Sequence, residues 1–300
     1  MELNIPKFLI EKLEKQYGKE LTDRIIEGYS KKRYTTFRVN TLKSNISDVE
    51  EVLEKEGIEY EKTKWSKEAF IVKNVSEKEI QELDIYRDGK IYMQSLSSML
   101  PPIILNPKEG EDILDMAAAP GGKTTQIAAL VNNKAAITAC EMNKIRAKRL
   151  KYNIEKQGAN AYIMVTDSRN IDEFFSFDQI LLDAPCSGSG ILNANDSRVE
   201  KIFTEKLIDK SKKAQLALLE KAIKILKPGN NMIYSTCSIL YEENEEIVNK
   251  VLNKYKAEVI PIKLEGIEEL PLLPSKIEGT ICVCPNELYE GFFVAKIEKQ

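Results

Sequence analysis

The chain has 300 residues, which is enough for two domains with a large core, and its composition is ordinary for a globular protein. No apolar run is long enough to span a bilayer, and the N-terminus has neither the basic start nor the apolar stretch of a signal peptide, so we expect a cytoplasmic protein whose five cysteines stay reduced. The 44 basic side chains are outnumbered by 47 acidic ones, so a nucleic acid could bind only where positive charge is clustered.

Residues 1–90 mix helical and strand patterns. The helical patterns are Lys7–Tyr17, Leu21–Tyr29, Asp48–Glu56 and Ser76–Leu83, and the strand patterns are Thr35–Val39 and Ala69–Val72. Ser47 is expected to cap the third helix and Gly57 to end it. The mixture predicts a small α+β module.

From residue 91 the chain alternates regularly between strands and helices. The strand patterns are Asp112–Leu114, Ala136–Ala139, Tyr162–Val165, Gln179–Leu182 and Met232–Tyr234, and the helical patterns are Gly122–Val131, Lys144–Gln157, Glu205–Leu226 and Glu243–Lys254. This alternation predicts a mostly parallel sheet with helices on both faces over residues 91–300. Two further strands, Thr280–Val283 and Gly291–Ile297, are expected to form an antiparallel hairpin at one edge.

A loop rich in small residues, 115–124, follows the first of these strands and opens a helix. Its glycines allow a ligand to approach the backbone, and the free amides of the helix suit a negative group. The end of the loop, Gly122-Lys123-Thr124, also fits a phosphate-binding P-loop, but that motif needs glycine at position 117, where alanine stands. We therefore disfavour a nucleotide triphosphatase.

An S-adenosylmethionine site is the better match for this loop. Such a site needs an acid after the next strand for the ribose hydroxyls, and Glu141 stands there. Asp167 follows the third strand, where it could accept a hydrogen bond from the adenine amino group; alternatively both acids merely cap helices. The predicted cofactor-binding residues are Ala117, Ala118, Ala119, Pro120, Gly121, Gly122, Lys123, Glu141, Arg146, Asp167 and Asp183.

Two cysteines follow strand patterns directly. Cys186 lies in Asp-Ala-Pro-Cys-Ser-Gly and Cys237 in Ser-Thr-Cys-Ser. Because the carboxyl ends of parallel strands line one crevice, both thiols should reach the same site. The chain has no histidine to help bind a metal, so the pair indicates thiolate chemistry without a metal. The other cysteines, Cys140, Cys282 and Cys284, are expected to pack in the interior.

Taken together, the motifs resemble those of the RNA 5-methylcytosine methyltransferases of the Sun or Fmu type (RsmB/RsmF-like). The motifs are Phe-Arg-Val-Asn-Thr-Leu-Lys over 37–43, Gln-Ser-Leu-Ser-Ser-Met-Leu-Pro over 94–101, the loop 115–124, both cysteine segments, Glu-Glu-Asn-Glu over 242–245 and Gly-Phe-Phe-Val-Ala-Lys over 291–296. The resemblance implies a Rossmann-like S-adenosylmethionine-dependent methyltransferase fold. We expect a seven-stranded, mostly parallel sheet and a small N-terminal α+β (RRM-like) RNA-binding module.

The resemblance also implies roles for four residues. Cys237 is the nucleophile, which adds to C6 of cytosine so that C5 can take a methyl group, and Cys186 assists breakdown of the adduct. Asp183 contacts the N3/N4 edge of the base, and Lys123 is expected to touch the base as well.

RNA is therefore the expected partner, ribosomal RNA first and transfer RNA as the alternative. Arg38 and Asn40 are predicted to contact it, although Arg38 could instead be a surface charge on a strand. The family's basic residues after Gly190 are missing, so the sequence does not indicate which residues hold the RNA backbone. Basic runs at 31–33 and 144–151 are either RNA contacts or solvated faces. We expect a monomer that needs neither a membrane nor a metal.

Two rival functions remain. A DNA cytosine methyltransferase would use the same covalent chemistry, but its nucleophile lies in the Pro-Cys loop alone, so the Ser-Thr-Cys-Ser segment argues against it. A non-catalytic RNA-binding or assembly factor could retain the fold. The presence of both cysteines together with Asp183, Glu141 and the glycine loop disfavours that alternative.

Overall fold

The computed structural model describes residues 4–300, so the first three residues of the predicted module at 1–90 lie outside the described part. Across that described span, none of the helices is both long and apolar enough to cross a membrane. Two helices, α1 (Lys7–Tyr17) and α2 (Lys19–Ser30), come first. They pack on the core of the following domain, where Tyr17 Oη donates to the Ile239 carbonyl over 2.6 Å.

The small α+β module is confirmed as a βαββαβ unit. It consists of β1 (Thr35–Val39), α3 (Ile46–Lys55), β2 (Tyr60–Lys62), β3 (Ala69–Val72), α4 (Glu77–Glu82), α5 (Asp84–Arg87) and β4 (Ile91–Met93). The strands form an antiparallel sheet in the order β2-β3-β1-β4, which is the ferredoxin-like arrangement. The last strand lies just beyond residue 90.

The third helix begins earlier than predicted. Asn45, not Ser47, is its N-cap: the Asn45 side chain accepts a hydrogen bond from the Asp48 amide over 2.9 Å. Gly57 follows the helix with φ +67°, as the prediction of a glycine stop requires. The helix buries Val49 and Leu53 against the stacked rings of Phe37 and Phe70, so it covers one face of the sheet.

The second domain contains the predicted parallel sheet. Its elements are α6 (Leu96–Leu105), β5 (Asp112–Asp115), α7 (Gly122–Leu130), β6 (Ala136–Cys140), α8 (Lys144–Gln157), β7 (Tyr162–Met164), β8 (Gln179–Asp183), α9 (Val199–Ile202), α10 (Glu205–Ile225), β9 (Asn231–Thr236), α11 (Glu245–Leu252), β10 (Ala257–Val259), β11 (Ile281–Val283) and β12 (Phe292–Lys299). Strands β5 to β9 are parallel in the order β9-β8-β5-β6-β7.

The tail of the chain differs from the prediction. β11 and β12 do pair antiparallel, but β12 lies inside the sheet, between β9 on one side and β10 and β11 on the other. The sheet therefore runs through seven strands, β10-β12-β9-β8-β5-β6-β7, with the short β11 as an eighth. The inserted strand is almost wholly apolar from Phe292 to Ala295, which suits burial on both faces.

Candidate active site

The predicted site residues gather at the carboxyl ends of the five parallel strands. Two adjoining cavities open there. The carboxylate cavity, of about 310 Å³, contains Glu141 and Asp167, and the lysine cavity, of about 460 Å³, contains Lys123 and Tyr92. Both are lined by Ala117, Ala119, Asp183 and Cys237. A larger cavity of about 800 Å³ beside the module's sheet contains none of the predicted catalytic or cofactor-binding residues.

The carboxylate cavity brings together the acids predicted to bind the cofactor. Glu141 is buried; one carboxylate oxygen accepts from the Asn143 amide at 2.8 Å, and the other lies 3.4 Å from Arg146 Nη1. Arg146 also donates to the Ala119 carbonyl at 2.7 Å. Asp167 accepts from the Arg169 amide and guanidinium, and the guanidinium lowers the pKa of this carboxyl. Both acids therefore cap local backbone and also face the cavity.

The shape and donor set of this cavity fit S-adenosylmethionine. Its lining includes the small side chains of Ala117 and Ala119 and combines the two carboxylates with the apolar Met116, Met142 and Leu218. Gly121 is required by its backbone conformation, and Gly122 by the close approach of a side chain. Gly121 has φ +110°, and a Cβ at Gly122 would lie 3.0 Å from the Tyr92 ring. Glu141 would hold the ribose hydroxyls and Asp167 the adenine edge, as the sequence predicts.

Asp115, which the sequence-based site omits, supports the loop from beneath. Its side chain is buried at the end of β5, where it accepts from Thr124 Oγ1 at 2.7 Å and from the Ala117 amide at 3.4 Å. Burial raises the pKa of Asp115 to about 6. The carboxyl therefore joins the strand to the first turn of α7 and holds the loop between them.

Lys123 and Asp183 form an ion pair in the lysine cavity. Lys123 Nζ lies 2.7 Å from Asp183 Oδ2 and donates to Ser98 Oγ at 2.7 Å. The other oxygen of Asp183 accepts from Ser235 Oγ at 2.8 Å. Because the Lys123 ammonium is already bound to a carboxylate, it is not aimed at a phosphate, which further disfavours the P-loop interpretation.

The two predicted catalytic thiols are in contact. Cys186 Sγ and Cys237 Sγ are 2.8 Å apart as free thiols, and Cys237 borders both cavities. The contact with Cys237, followed by burial, raises the pKa of Cys186 well above its ordinary value. Cys186 therefore keeps its proton and can donate it toward the sulfur of Cys237.

A buried glutamate that the sequence-based site missed ties the two cysteine loops together. Glu243 accepts hydrogen bonds from the Ser187 amide at 2.7 Å, from the Ser187 hydroxyl, from Ser238 Oγ at 2.6 Å and from Gln215 Nε2 at 3.3 Å. Ser187 follows Cys186 and Ser238 follows Cys237 directly. Burial raises the pKa of the Glu243 carboxyl.

The structure corrects the prediction that Arg38 and Asn40 contact RNA. Both side chains are buried, with 2% of Arg38 and 0% of Asn40 exposed. Arg38 donates to Gln94 Oε1 at 3.0 Å and to Thr125 Oγ1 at 2.7 Å, and Asn40 donates to the Gln157 carbonyl at 2.8 Å. Both residues join the small module to the second domain, so neither side chain is open to a nucleic acid.

The remaining cysteines pack in the interior, as predicted. Burial raises the pKa of Cys140 and of Cys284 to about 11, and it also raises that of Cys282. Within residues 4–300 no cluster of three or more histidine, cysteine or acidic side chains could hold a metal ion.

Comparison with known proteins gives consistent matches. Residues 102–298 match the family described as 16S rRNA methyltransferase RsmB/F, and residues 5–77 match its ferredoxin-like domain. A ribosomal RNA small subunit methyltransferase F from Shewanella loihica is 35% identical over 92% of this chain, and a tRNA (cytosine(49)-C(5))-methyltransferase from Pyrococcus abyssi is 34% identical over 95% of it. The chain spans 59% of the length of the first relative and 98% of the second.

A solved structure extends the comparison to the whole fold. NSun6 from Pyrococcus horikoshii, crystallised with the S-adenosylmethionine analogue SFG, superimposes with a TM-score of 0.86 at 25% identity. The match covers 100% of this chain and 99% of that one. The second domain therefore has the fold of the S-adenosylmethionine-dependent methyltransferases, with the ferredoxin-like module in front of it.

Proposed function

Because the chain belongs to the RsmB/F methyltransferase family, we propose that it is an S-adenosylmethionine-dependent RNA cytosine C5-methyltransferase. The observation that carries the proposal is the contact between Cys186 and Cys237 at the junction of the two cavities. One cavity suits the cofactor, and the other offers an ion pair beside the thiols, where a flipped or unpaired base can enter.

Cys237 is the nucleophile of the proposed reaction. Its thiolate adds to C6 of the cytosine and makes C5 an enamine-like carbon. When bound, S-adenosylmethionine supplies the electrophilic methyl group for C5. Asp183 meets the N3/N4 edge of the base, and Lys123 holds that carboxylate in place through the 2.7 Å ion pair.

Cys186 takes part in the release of the product. Its raised pKa depends first on its contact with Cys237, so it stays protonated while Cys237 is a free sulfur. Once Cys237 is bonded to carbon, the contact that raised the pKa of Cys186 is lost, and Cys186 can give up its proton to solvent. As a thiolate it can then accept the C5 proton, the C5–H electrons form the C5=C6 double bond, and the C6–S bond breaks with its electron pair returning to Cys237, so that the aromatic ring is restored.

The proposed substrate is ribosomal RNA, with transfer RNA as the second candidate. The Shewanella loihica relative carries a ribosomal name, whereas the relative matched over nearly its whole length carries a transfer RNA name. We further propose that the protein acts in the cytoplasm as a monomer without a metal ion. The five unpaired cysteines support a reducing compartment.

Two cysteine variants test the proposal. With labelled cofactor and RNA, Cys237→Ala should abolish methyl transfer while cofactor binding persists, and Cys186→Ala should accumulate protein covalently bound to RNA on a denaturing gel. Cys284→Ala, a buried cysteine outside the site, is the matched control and should behave like the wild type.

Three results would contradict the proposal. Labelling of DNA but not RNA of matched sequence would favour a DNA methyltransferase. Cofactor binding without methyl incorporation into any RNA would favour a non-catalytic factor. Trapping by Cys237→Ala instead of Cys186→Ala would exchange the two cysteine roles.

A further inference from the structure

Helix α8 carries an unusual concentration of positive charge. It has six basic side chains and one acidic one, in a chain whose formal net charge is −3. Two of the basic residues have acidic partners: Arg146 lies near Glu141, and Lys151 lies near Glu155. Arg149 is exposed and forms no ion pair within residues 4–300. A nucleic acid can be attracted by such clustering even when the whole protein is acidic.

This helix borders the mouth of the lysine cavity. Asn153 donates to the Pro120 carbonyl at 2.8 Å and lies 3.5 Å from the Tyr92 hydroxyl, and both Pro120 and Tyr92 line that cavity. Because residues three or four apart share one face of a helix, Arg149 lies beside Asn153, and the exposed Tyr152 and half-buried Lys156 continue the same stripe. The stripe therefore leads away from the active-site opening.

A second cation from the small module joins this stripe. Lys43 lies against Gly158, directly after α8, where its Cε is 3.1 Å from the place that a Cβ would take. Lys43 Nζ donates only to the Asp88 carbonyl, and neither Lys43 nor Lys156 forms an ion pair in the described part of the chain. Burial and then the charge of Lys43 lower the pKa of Lys156. Two like charges held together without a carboxylate are stabilised by a bound anion.

One tyrosine ring contacts Lys156, and a second tyrosine lies near that ring. Lys156 Nζ is 3.6 Å from the centre of the Tyr86 ring. Tyr86 has Tyr152 as a neighbour, whose phenol adds to the effect of burial in raising the Tyr86 pKa. Tyr152 is 62% exposed. Glu77 also acts on Tyr86, and Asp88 is the residue whose carbonyl Lys43 bonds, so three cations stand beside two acids. Of the two rings Tyr152 is the exposed one, whereas Tyr86 is half-buried and supports Lys156. Cations beside an exposed ring are typical of surfaces that bind single-stranded nucleic acid.

We propose that Lys43, Arg149 and Lys156, together with the rings of Tyr86 and Tyr152, bind the backbone and bases of the single-stranded RNA that flanks the target cytosine. We call these five residues the flank site. The inference rests on the proposed function, because it names how the same RNA is held outside the catalytic pocket. In this proposal α8 and the small module supply the positive charge that the segment after Gly190 lacks.

The test compares two double variants that remove the same charge. Lys43→Ala/Lys156→Ala removes two flank-site cations, whereas Lys55→Ala/Lys263→Ala removes two exposed lysines that line none of the cavities described above. Binding of a labelled single-stranded oligoribonucleotide with one central cytosine is measured against salt. Loss of two phosphate contacts should reduce the salt slope by about 1.4 and weaken binding about tenfold near 0.15 M salt.

Further readouts separate this role from a structural one. In the flank-site double variant the KM for total RNA should rise about tenfold, while kcat, cofactor affinity and thermal unfolding stay as in the wild type. Lys43→Arg/Lys156→Arg should restore binding because it keeps the charge. Tyr152→Phe should bind normally and Tyr152→Ala should bind more weakly, since stacking needs the ring and not the hydroxyl.

The outcomes distinguish this inference from the proposed function. If the wild type methylates RNA but the flank-site double variant keeps its salt slope and KM, the flank site is wrong and the function stands. If the wild type binds RNA without methylating it, the proposed function fails, and the salt slope alone decides the flank site. An equal loss in the Lys55→Ala/Lys263→Ala control would also overturn the flank site.

Discussion

Replacing Glu243 with alanine removes the carboxylate that ties the two cysteine loops together. A hydrogen bond to a charged acceptor contributes about 1.5–3 kcal/mol, and Glu243 accepts four bonds. The hydroxyls of Ser187 and Ser238 can turn to other acceptors, and Gln215 keeps its bond to the Pro185 carbonyl at 3.0 Å. The Ser187 backbone amide cannot rotate toward another acceptor in this way. We therefore expect the free energy of unfolding to fall by about 3 kcal/mol, measured by urea denaturation.

The same substitution should slow methyl transfer. Without the carboxylate, Ser187 and Ser238 lose their shared acceptor. The loops stay joined by the Gly190 amide on the Cys237 carbonyl, so we expect the 2.8 Å contact of the cysteine sulfurs to loosen rather than to disappear. A displacement of about 1 Å at reacting groups costs about 100-fold in rate. We expect kcat to fall by about that factor while cofactor affinity is unchanged. Glu243→Gln should lose less, because its amide oxygen can still accept from the Ser187 amide.

Glu242→Ala is the matched control for this prediction. Glu242 lies on the same turn but pairs with Lys12 at 2.9 Å and Lys212 at 3.0 Å near the surface. Such pairs contribute about 0–1 kcal/mol, so Glu242→Ala should stay within 1 kcal/mol of the wild type and keep its activity. The reasoning is refuted if Glu243→Ala folds stably and transfers methyl groups at the wild-type rate, or if Glu242→Ala loses as much.

Two further predictions concern the backbone of the site. In Gly190→Ala the new Cβ would lie 1.9 Å from the Gly291 carbonyl oxygen, so the free energy of unfolding measured in urea should fall by about 3 kcal/mol or more. In the control Gly110→Ala the backbone is strained but the space is open, so the free energy of unfolding should fall by about 1 kcal/mol. Equal losses in the two variants would contradict this prediction. The pKa of Asp115 is raised from 3.8 to about 6 in the folded state, so the folded protein binds this proton more tightly than the unfolded chain does. The proton therefore contributes about 3 kcal/mol to the free energy of unfolding at low pH, and this contribution is lost as the pH rises from about 4 to about 6. Asp115→Asn should lack this part of the pH dependence. If the free energy of unfolding changes with pH in the same way in the wild type and in Asp115→Asn, the prediction is wrong.

The long regular elements were predictable because their signals are local. Helix α8 begins and ends where the sequence indicates, with Asn143 accepting from the first amides and Gly158 in the left-handed region at its end. The five parallel strands were found within two residues of their bounds, and their order along the chain is enough to bring the loops after them to one edge. That is why Glu141, Asp183 and both cysteines meet as predicted.

Elements whose stability depends on distant partners were missed. Strands β2, β4 and β10 have three residues each, too few to show an alternating pattern, and none of them stands in the regular alternation of strands and helices that identified the equally short β7. Helix α6 contains Pro101 and Pro102, which normally break a helix. Here the Ser98 carbonyl, which Pro102 cannot bond, accepts instead from Gln94 Nε2 at 3.0 Å. No local sequence pattern indicates that a side chain will replace the missing backbone donor in this way.

Local sequence patterns were also insufficient to identify the role of Glu243 in the active site. Glu243 belongs to the run Glu-Glu-Asn-Glu at 242–245, which from sequence resembles the solvated start of a helix. In the fold, Glu243 and Asn244 are fully buried, and Asn244 donates to the Ser238 carbonyl at 2.9 Å. The run was part of the family resemblance, but its residue types alone do not show whether a glutamate caps an exposed helix or accepts hydrogen bonds in the interior. Only the approach of the two cysteine loops makes that distinction.

Arg38 shows why a polar strand face has two interpretations. Along β1, Phe37 and Val39 point to the module's own core and Arg38 to the opposite face, which the sequence assigned to RNA. The second domain covers that face instead, and Arg38 reaches the Gly122 carbonyl at 3.3 Å, at the start of α7. Burial lowers the pKa of Arg38 to about 10, so it remains charged and needs these acceptors. An alternating strand identifies which side chains face outward from its own module, but whether solvent, RNA or another domain meets them depends on packing that the strand itself does not encode.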